Sequence, residues 1–153
     1  MDQKYMSEAI ALAKRAAEMG EVPVGAVVVY DGVIIGKGYN LRENNRSAIA
    51  HAEVIAIEQA CERLGTWRLS GCTLYVTMEP CPMCAGAIVN SRIEKVVFGC
   101  KDSLAGCCGS VINFNLYPFN HSFSIVGGVC EQEASKLLTS FFEEKRKKCK
   151  EKD

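Results

Sequence analysis

The sequence has neither a long hydrophobic run nor a net charge. Its 153 residues include 18 Lys and Arg against 18 Asp and Glu, and no apolar stretch approaches the roughly 20 residues that cross a bilayer. The missing apolar run argues against a membrane-spanning helix. The balanced charge gives no general reason to expect a nucleic-acid partner. A function at a membrane or on a nucleic acid must therefore be argued from local features.

The amino terminus also lacks an apolar segment behind a basic start, so we expect no secretory signal. The nine cysteines are an odd number in a long, apolar chain. This favours reduced thiols in a cytoplasm over a disulfide scaffold. Neither an internal repeat nor a low-complexity linker divides the chain, and its length predicts one domain over residues 1–153.

Hydrophobic periodicity predicts helices that alternate with strands after an initial hairpin. Asp31-Gly32 joins two β-branched runs in the manner of a two-residue turn. Residues 100–118 lose this periodicity, and a loop of that length is often functional. The predicted helices cover 6–19, 51–64, 82–90 and 131–150, and the predicted strands cover 22–30, 33–39, 72–77, 95–99 and 122–126.

This order of elements predicts an α/β fold, a three-layer α/β/α sandwich around a central mixed five-stranded sheet. Because the run 22–30 is almost wholly apolar, we expect a central strand covered on both faces. Right-handed crossovers from strand two to three and from three to four would start two helices at one sheet edge. In the last helix the residues expected to point inward are Ala134, Leu137, Leu138, Phe141 and Phe142.

The stretch Met78–Gly86, taken together with His51-Ala52-Glu53, carries the chemistry. Cys81 and Cys84 stand three residues apart at a helix start, so both sulfurs can reach one metal ion. The helix N-terminus also favours their thiolate forms. His51 would be a third ligand and would leave the fourth zinc position open to water. The pattern H-x-E followed by P-C-x-x-C is the signature of zinc-dependent nucleobase deaminases, and it predicts one Zn²⁺ per subunit.

Glu53 is the predicted catalytic residue. A zinc ion held by one imidazole and two thiolates lowers the pKa of its bound water, giving hydroxide near neutral pH. Glu53 would take the proton from that water, pass it to a ring nitrogen and then protonate the departing ammonia. The predicted product is a ring carbonyl, as in the conversion of adenosine to inosine.

Each of these features has a simpler interpretation when it stands alone. A Cys-x-x-Cys pair also occurs in dithiol redox sites and structural zinc sites. His51 alone suits a helix start, and Glu53 alone suits a first turn, where acids are favourable. His121 is interpreted as a structural or surface residue. The adjacent pair Cys107-Cys108 has no neighbouring residues in the sequence that would complete a second metal site. The order and spacing of the whole set favour a catalytic zinc site.

Beyond the zinc pattern, the sequence resembles the bacterial TadA-type tRNA adenosine deaminases over nearly its whole length. The resemblance implies a cytidine-deaminase-like fold, a homodimer, and conversion of the wobble adenosine of an arginine tRNA to inosine. The matching stretches are Glu21-Val22-Pro23-Val24-Gly25-Ala26, Gly38-Tyr39-Asn40, His51-Ala52-Glu53, Leu74-Tyr75-Val76-Thr77, 79–88, Ser91-Arg92-Ile93, Val96-Val97-Phe98-Gly99, Gly109-Ser110 and Phe141-Phe142.

The resemblance also implies roles in substrate binding. Asn40 would hold the flipped base, and the backbone N–H of Ala52 would contact the incoming oxygen. Asp102 would meet a ribose 2′-hydroxyl of the preceding nucleotide, a group that distinguishes RNA from DNA. In the last helix, Phe142 and Arg146 would pack beside the anticodon loop. The implied partner is a tRNA anticodon stem-loop, with no DNA substrate expected.

The sequence departs from the family pattern in two places, and three other functions remain open. Ser47-Ala48-Ile49 stands where the family often has an Asp-Pro-Thr-like sequence, and Leu104 replaces a commonly basic residue. A deaminase of a free base or nucleotide, such as guanine or a cytosine compound, would share the zinc ligands and Glu53. A non-catalytic zinc module that binds RNA and a thiol oxidoreductase are the other two alternatives.

Overall fold

A computed structural model describes residues 1–151, so the last two residues of the predicted domain 1–153 lie outside the described part of the chain. Within that part, no helix is both long and apolar enough to cross a membrane. The elements are helices α1 (Asp2–Glu18), α2 (Ala52–Leu64), α3 (Pro82–Ser91) and α4 (Glu131–Glu151), a 3₁₀ turn at Phe114–Leu116, and strands β1 (Gly25–Tyr30), β2 (Val33–Tyr39), β3 (Thr73–Met78), β4 (Lys95–Cys100) and β5 (Ser124–Val126).

The five strands form one mixed sheet in the order β2-β1-β3-β4-β5. Strand β1 is antiparallel to both β2 and β3, whereas β3, β4 and β5 are mutually parallel. Because β2 and β3 both oppose β1, they run in the same direction and end at the same sheet edge. Helices α1 and α4 cover one face, and α2 and α3 cover the other. The predicted three-layer α/β/α sandwich is confirmed.

Each face of the sheet has its own apolar core. Val28 packs among residues of α2 and α3, whereas Val27 packs among residues of α1. Alternation along a strand places neighbouring side chains on opposite faces, so β1 is apolar because both of its faces are buried. The predicted central strand is confirmed, although it begins at Gly25 rather than at residue 22.

Local boundaries differ where tertiary contacts extend or limit an element. Asp31 (φ 49°) and Gly32 (φ 75°) form the predicted two-residue turn with both residues in the left-handed region. Helix α1 begins four residues before its predicted start. Tyr5 is buried there, and the Tyr75 hydroxyl donates to Asp2 Oδ1 (2.9 Å), so packing on the sheet stabilises this extra turn.

Two glycines of β2 let helix α2 lie unusually close to the sheet. A Cβ atom on Gly36 would come 2.2 Å from the Ala56 carbonyl oxygen, and one on Gly38 would come 2.3 Å from that of Ala52. These contacts are far shorter than any van der Waals separation. The pair of glycines therefore sets the height at which the amino terminus of α2 stands over the sheet edge.

Helix α4 packs on the sheet only through its first two turns. Ala134 is 1% exposed, and Leu137 and Leu138 are partly buried. The expectation that Phe142 points inward is wrong, because this side chain is 43% exposed and contacts the Phe141 ring edge to face. Phe141 is partly buried, so the expectation fails only at Phe142, where the helix has less structure to pack against.

Candidate active site

Helices α2 and α3 begin at the same sheet edge and carry the predicted metal ligands there. His51 is the N-cap residue of α2, Cys81 is the N-cap residue of α3, and Cys84 lies in the first turn of α3. Pro82 occupies the first turn of α3, where a missing N–H costs no hydrogen bond. The common direction of β2 and β3 thus brings together residues that lie 30 positions apart.

The three ligand atoms have the spacing that a tetrahedral zinc site requires. His51 Nδ1 lies 3.6 Å from Cys81 Sγ and 3.4 Å from Cys84 Sγ, and all three atoms lie within 4.8 Å of one another. Ordinary zinc–nitrogen and zinc–sulfur bonds at a tetrahedral angle place N and S roughly 3.6 Å apart. Cys84 is buried, whereas His51 and Cys81 are partly exposed. This donor set fits zinc.

Hydrogen bonds among the three groups favour the thiolate form of Cys81. Hydrogen bonds from Cys84 and His51 lower the pKa of Cys81 to about 4. The same contact with Cys81, together with burial, raises the pKa of Cys84. The pKa of His51 is raised by its hydrogen bond to Cys81. Because the thiolate is the form that binds a metal ion, Cys81 is ready to act as a ligand.

Glu53 lies in the first turn of α2 and lines the same cavity as His51 and Cys81. Its side chain is only 4% exposed, and burial raises its pKa to about 7. A carboxyl group with that pKa can accept and release a proton near neutral pH. The metal-ligating group found among residues 1–151 comprises His51, Cys81 and Cys84 without Glu53, which suits a proton carrier.

The cavity has a volume of about 210 Å³, and two of the predicted substrate-binding groups contact each other beside it. Asn40 is buried and lines the cavity, and its Oδ1 accepts a hydrogen bond from the backbone N–H of Ala52 (2.9 Å). Asn40 Nδ2 donates to no residue in the described part of the chain. The structure therefore offers this amide nitrogen, rather than the Ala52 N–H, as the donor that a ligand would meet first.

Glu21, which lines the cavity, is a buried carboxylate that our sequence reasoning missed. It accepts hydrogen bonds from the backbone N–H groups of Glu43 (3.1 Å) and Asn44 (2.8 Å) and from Asn44 Nδ2 (2.6 Å). Burial alone would raise the pKa of Glu21, but these hydrogen bonds outweigh it and lower the pKa. The sign of this role in the sequence is an acidic residue, Glu21, directly before the apolar run 22–30.

Glu79, at the end of β3, is a second such carboxylate and also lines the cavity. It accepts hydrogen bonds from the N–H groups of Asp102, Cys108 and Ser110 and from the Ser110 hydroxyl. Burial would raise the pKa of Glu79, but the hydrogen bonds from Ser110, Asp102 and Cys108 lower it. Both missed acids hold loops that sequence spacing alone cannot place.

Of the remaining predicted residues, Asp102 lines the cavity, whereas Phe142 and Arg146 do not. Asp102 lines it, as expected for a residue that meets a ligand. From α4 the lining residue is Lys145 rather than Phe142 or Arg146. Lys145 could not be singled out from the sequence, because it is one member of a basic run.

Two other features noted in the sequence lie elsewhere. His121 stands away from the cavity, with Nε2 2.7 Å from the Ile93 carbonyl oxygen. This contact supports its structural interpretation. Cys107 and Cys108 are buried thiols outside the metal-ligating group.

A mixed five-stranded sheet between helices, with a His/Cys/Cys group and a buried Glu at the helix starts, defines a deaminase with the cytidine-deaminase-like fold. The family model for MafB19-like deaminases matches residues 1–145. The tRNA-specific adenosine deaminase of Bacillus subtilis is 56% identical over 150 residues, which are 97% of this chain and 93% of that protein. The chain belongs to the family of tRNA-specific adenosine deaminases.

Solved structures support this assignment. A structure described in work on A-to-I editing by tRNA:A34 deaminases at the wobble position superposes with a TM-score of 0.86 at 40% identity, covering 88% of this chain and 99% of that one. A guanine deaminase from Bacillus subtilis superposes with a TM-score of 0.61 at 41% identity, covering 64% of this chain and 63% of that one. The tRNA deaminase structure therefore matches a much larger share of the fold.

Proposed function

We propose that this protein is a zinc-dependent deaminase that converts the wobble adenosine of an arginine tRNA to inosine and releases ammonia. One observation carries the proposal. His51, Cys81 and Glu53 line a single cavity, and buried Cys84 completes the metal-ligating group. These residues belong to a chain that is 56% identical over nearly its whole length to a tRNA-specific adenosine deaminase.

His51, Cys81 and Cys84 would hold one Zn²⁺ per subunit. When bound, zinc lowers the pKa of a coordinated water and so makes the attacking oxygen available near neutral pH. Glu53 accepts one proton of the attacking water and transfers it to the ring nitrogen beside the reacting carbon. It then takes the second proton from the hydroxyl group now on that carbon and delivers it to the amine, which leaves as ammonia and so produces the ring carbonyl. Its pKa of about 7 suits both directions of transfer.

The walls of the cavity hold the flipped nucleoside. Asn40 Nδ2 donates to an acceptor of the base, and the Ala52 N–H, once released from Asn40 Oδ1, contacts the incoming oxygen. Asp102 accepts the 2′-hydroxyl of the preceding nucleotide, a contact that DNA lacks. In α4, the exposed ring of Phe142 offers a surface for stacking, and Arg146 adds a cation beside the anticodon loop.

The proposed partner is the anticodon stem-loop of tRNA, and the proposed place of action is the cytoplasm, where tRNA is used. We further propose that the enzyme works as a homodimer. A second candidate function is deamination of a free base, and the likeness to a guanine deaminase favours it. A free base would need neither Asp102 nor a basic α4.

An inosine assay tests the proposal. The zinc-loaded protein is incubated with an RNA anticodon stem-loop that has adenosine at the wobble position, with the same sequence as DNA, with free adenosine and with guanine. We expect inosine in the RNA alone. Ammonia released from guanine, without inosine in RNA, would establish the second candidate instead.

The matched variant for this assay is Glu53→Gln, which keeps the shape of the side chain and removes its ability to carry a proton. Its rate should fall by about 10²-fold or more, with zinc content and melting temperature unchanged. A rate near that of the wild type would contradict the mechanism.

A further inference from the structure

Glu79 stands where the metal site and a surface loop meet. It directly follows β3, and its backbone N–H donates to the Cys100 carbonyl oxygen (2.9 Å), which continues the pairing of β3 with β4. Two residues later the chain reaches Cys81. The segment 101–110 leaves β4 at the same edge, so the Glu79 side chain lies between the metal ligands and this loop.

The carboxylate of Glu79 joins both ends of that loop. At the near end, Oε1 accepts the N–H of Asp102 (3.1 Å). At the far end, Oε2 accepts the N–H groups of Cys108 (2.9 Å) and Ser110 (3.1 Å), and the Ser110 hydroxyl donates to Oε1. Four donors surround two oxygens, which leaves little capacity for a substrate. The shape of the loop therefore depends on one side chain.

The loop closes tightly around this carboxylate. A Cβ atom on Gly106 would come 2.5 Å from Glu79 Oε2 and 2.6 Å from the Asp102 carbonyl oxygen, so only glycine fits. The N–H of Cys107 donates to the Pro80 carbonyl oxygen (2.9 Å), which adds a backbone link next to Cys81. The loop is thus directly connected to the turn at Pro80-Cys81, which carries a metal ligand.

The same loop presents Asp102 to the cavity. Asp102 Oδ1 accepts the N–H groups of Leu104 (3.0 Å) and Ala105 (3.2 Å), and these bonds fix the direction of its carboxylate. Asp102 Oδ2 accepts none of the hydrogen bonds found within residues 1–151. A ligand hydroxyl can therefore bind Oδ2 while Oδ1 maintains the turn.

We propose that Glu79 is a positioning residue that holds loop 101–110 so that Asp102 reaches the substrate, and that it thereby determines the preference for ribose over deoxyribose in the nucleotide before the adenosine. This inference rests on the proposed function, in which Asp102 accepts the 2′-hydroxyl. Glu79 itself does not touch the reacting atoms. Its effect passes through the loop.

The test combines Glu79→Gln with a change in the substrate. Glutamine keeps one acceptor oxygen but replaces the other with an NH₂ group, which opposes the N–H donors at one end of the loop. That end of the loop loses its anchor. The two substrates are the RNA stem-loop and the same RNA with a single 2′-deoxy nucleotide before the adenosine. For wild-type protein we expect kcat/KM to favour the ribo substrate about tenfold or more, as a hydrogen bond to a carboxylate implies.

In Glu79→Gln the ratio of kcat/KM on the ribo substrate to kcat/KM on the 2′-deoxy substrate should fall close to one. The loss should lie in KM on the ribo substrate, and the variant should bind the same amount of zinc as the wild type. Equal losses of kcat/KM on both substrates would overturn the inference, because they would mean that Glu79 acts on the turn that carries Cys81 or on folding. Ser110→Ala removes one of the four donors, and it should reduce the preference in the same direction even if Glu79→Gln fails to fold.

Glu21→Gln is the matched control, because Glu21 is also buried, also lines the cavity and also anchors a loop, but not the loop that carries Asp102. It should keep the wild-type preference for ribose. Loss of the preference in this control would overturn the inference. A wild-type protein inactive on the RNA stem-loop would instead overturn the proposed function together with this inference, so the two failures are distinguishable.

Discussion

At the scale of the residue, the site depends on groups whose charges are set by their neighbours. Cys81 has its pKa lowered to about 4 by hydrogen bonds from Cys84 and His51, while burial raises that of Glu53 to about 7. The ligand is thus ready to bind metal, and the proton carrier is ready to exchange. Both residues stand at the start of a helix, a position that the sequence motif specifies directly.

Replacement of Cys81 should remove metal and stability together. Cys81→Ala removes one of three ligands, and the free energy of metal binding contributes to folding. We expect lower zinc content and a lower melting temperature than in the wild type, measured by atomic absorption and calorimetry. Cys149→Ala is the control, because Cys149 is exposed on α4 and should change neither value. A variant without zinc that melts like the wild type would contradict the prediction.

Glu21 should make stability depend on pH. Its pKa in the folded protein lies below the ordinary value of 4.5, so its contribution is fully present above pH 4.5 and is lost as the pH falls through the folded value. Glu21→Gln should cost about 1–3 kcal/mol of unfolding free energy at pH 7, as expected for hydrogen bonds to a charged group. Urea denaturation should show this difference shrinking under acid conditions. A difference that is constant with pH would refute it.

Prediction from sequence at this scale works where spacing along one element is enough. His51, Cys81 and Cys84 could be placed because each stands at a predicted helix start. Glu21 and Lys145 could not be placed, because the groups that meet them come from segments joined only by folding.

At the scale of the element, the contact between α2 and β2 supports the site. Gly38→Ala would place a Cβ atom 2.3 Å from the Ala52 carbonyl oxygen, so α2 must move. Overpacking of this kind costs about 1–3 kcal/mol, and it displaces the helix start that carries His51 and Glu53. We expect a lower melting temperature and a lower rate of inosine formation.

Gly86→Ala is the control for that substitution. Gly86 lies within α3, and a Cβ atom there would meet no atom within 4 Å. Alanine in a helix is favoured over glycine by roughly 1 kcal/mol, so this variant should be as stable as the wild type or more so. Equal destabilisation of both variants would show that helix height over the sheet is not the cause.

The type of each element could be predicted from the sequence, but the exposure of a side chain such as Phe142 could not. The alternation of helices and strands, the hairpin and the parallel crossovers follow from local periodicity and turn residues. The outward position of Phe142 in α4 depends on where the sheet ends beneath the helix. That distance is a tertiary property, and an amphipathic pattern does not contain it.

At the scale of the whole molecule, a chain with no net charge must attract RNA through local cations. Lys145 is the α4 cation that lines the cavity. Lys145→Ala should raise KM for the stem-loop and reduce the salt dependence of binding by about one counterion. Lys136→Ala is the control, because Lys136 is exposed on the same helix but outside the cavity lining. Equal effects of the two variants would refute a specific contact.

The position of β1 between β2 and β3 has a consequence for synthesis of the chain. The two strands whose ends carry the site are not neighbours, since each pairs with β1. A chain made from its amino terminus therefore contains both strands of the β1–β2 hairpin before either ligand-bearing helix has been synthesised. Cys81 can meet His51 only when β3 pairs with β1. The metal site thus depends on β1, a strand that contains no ligand.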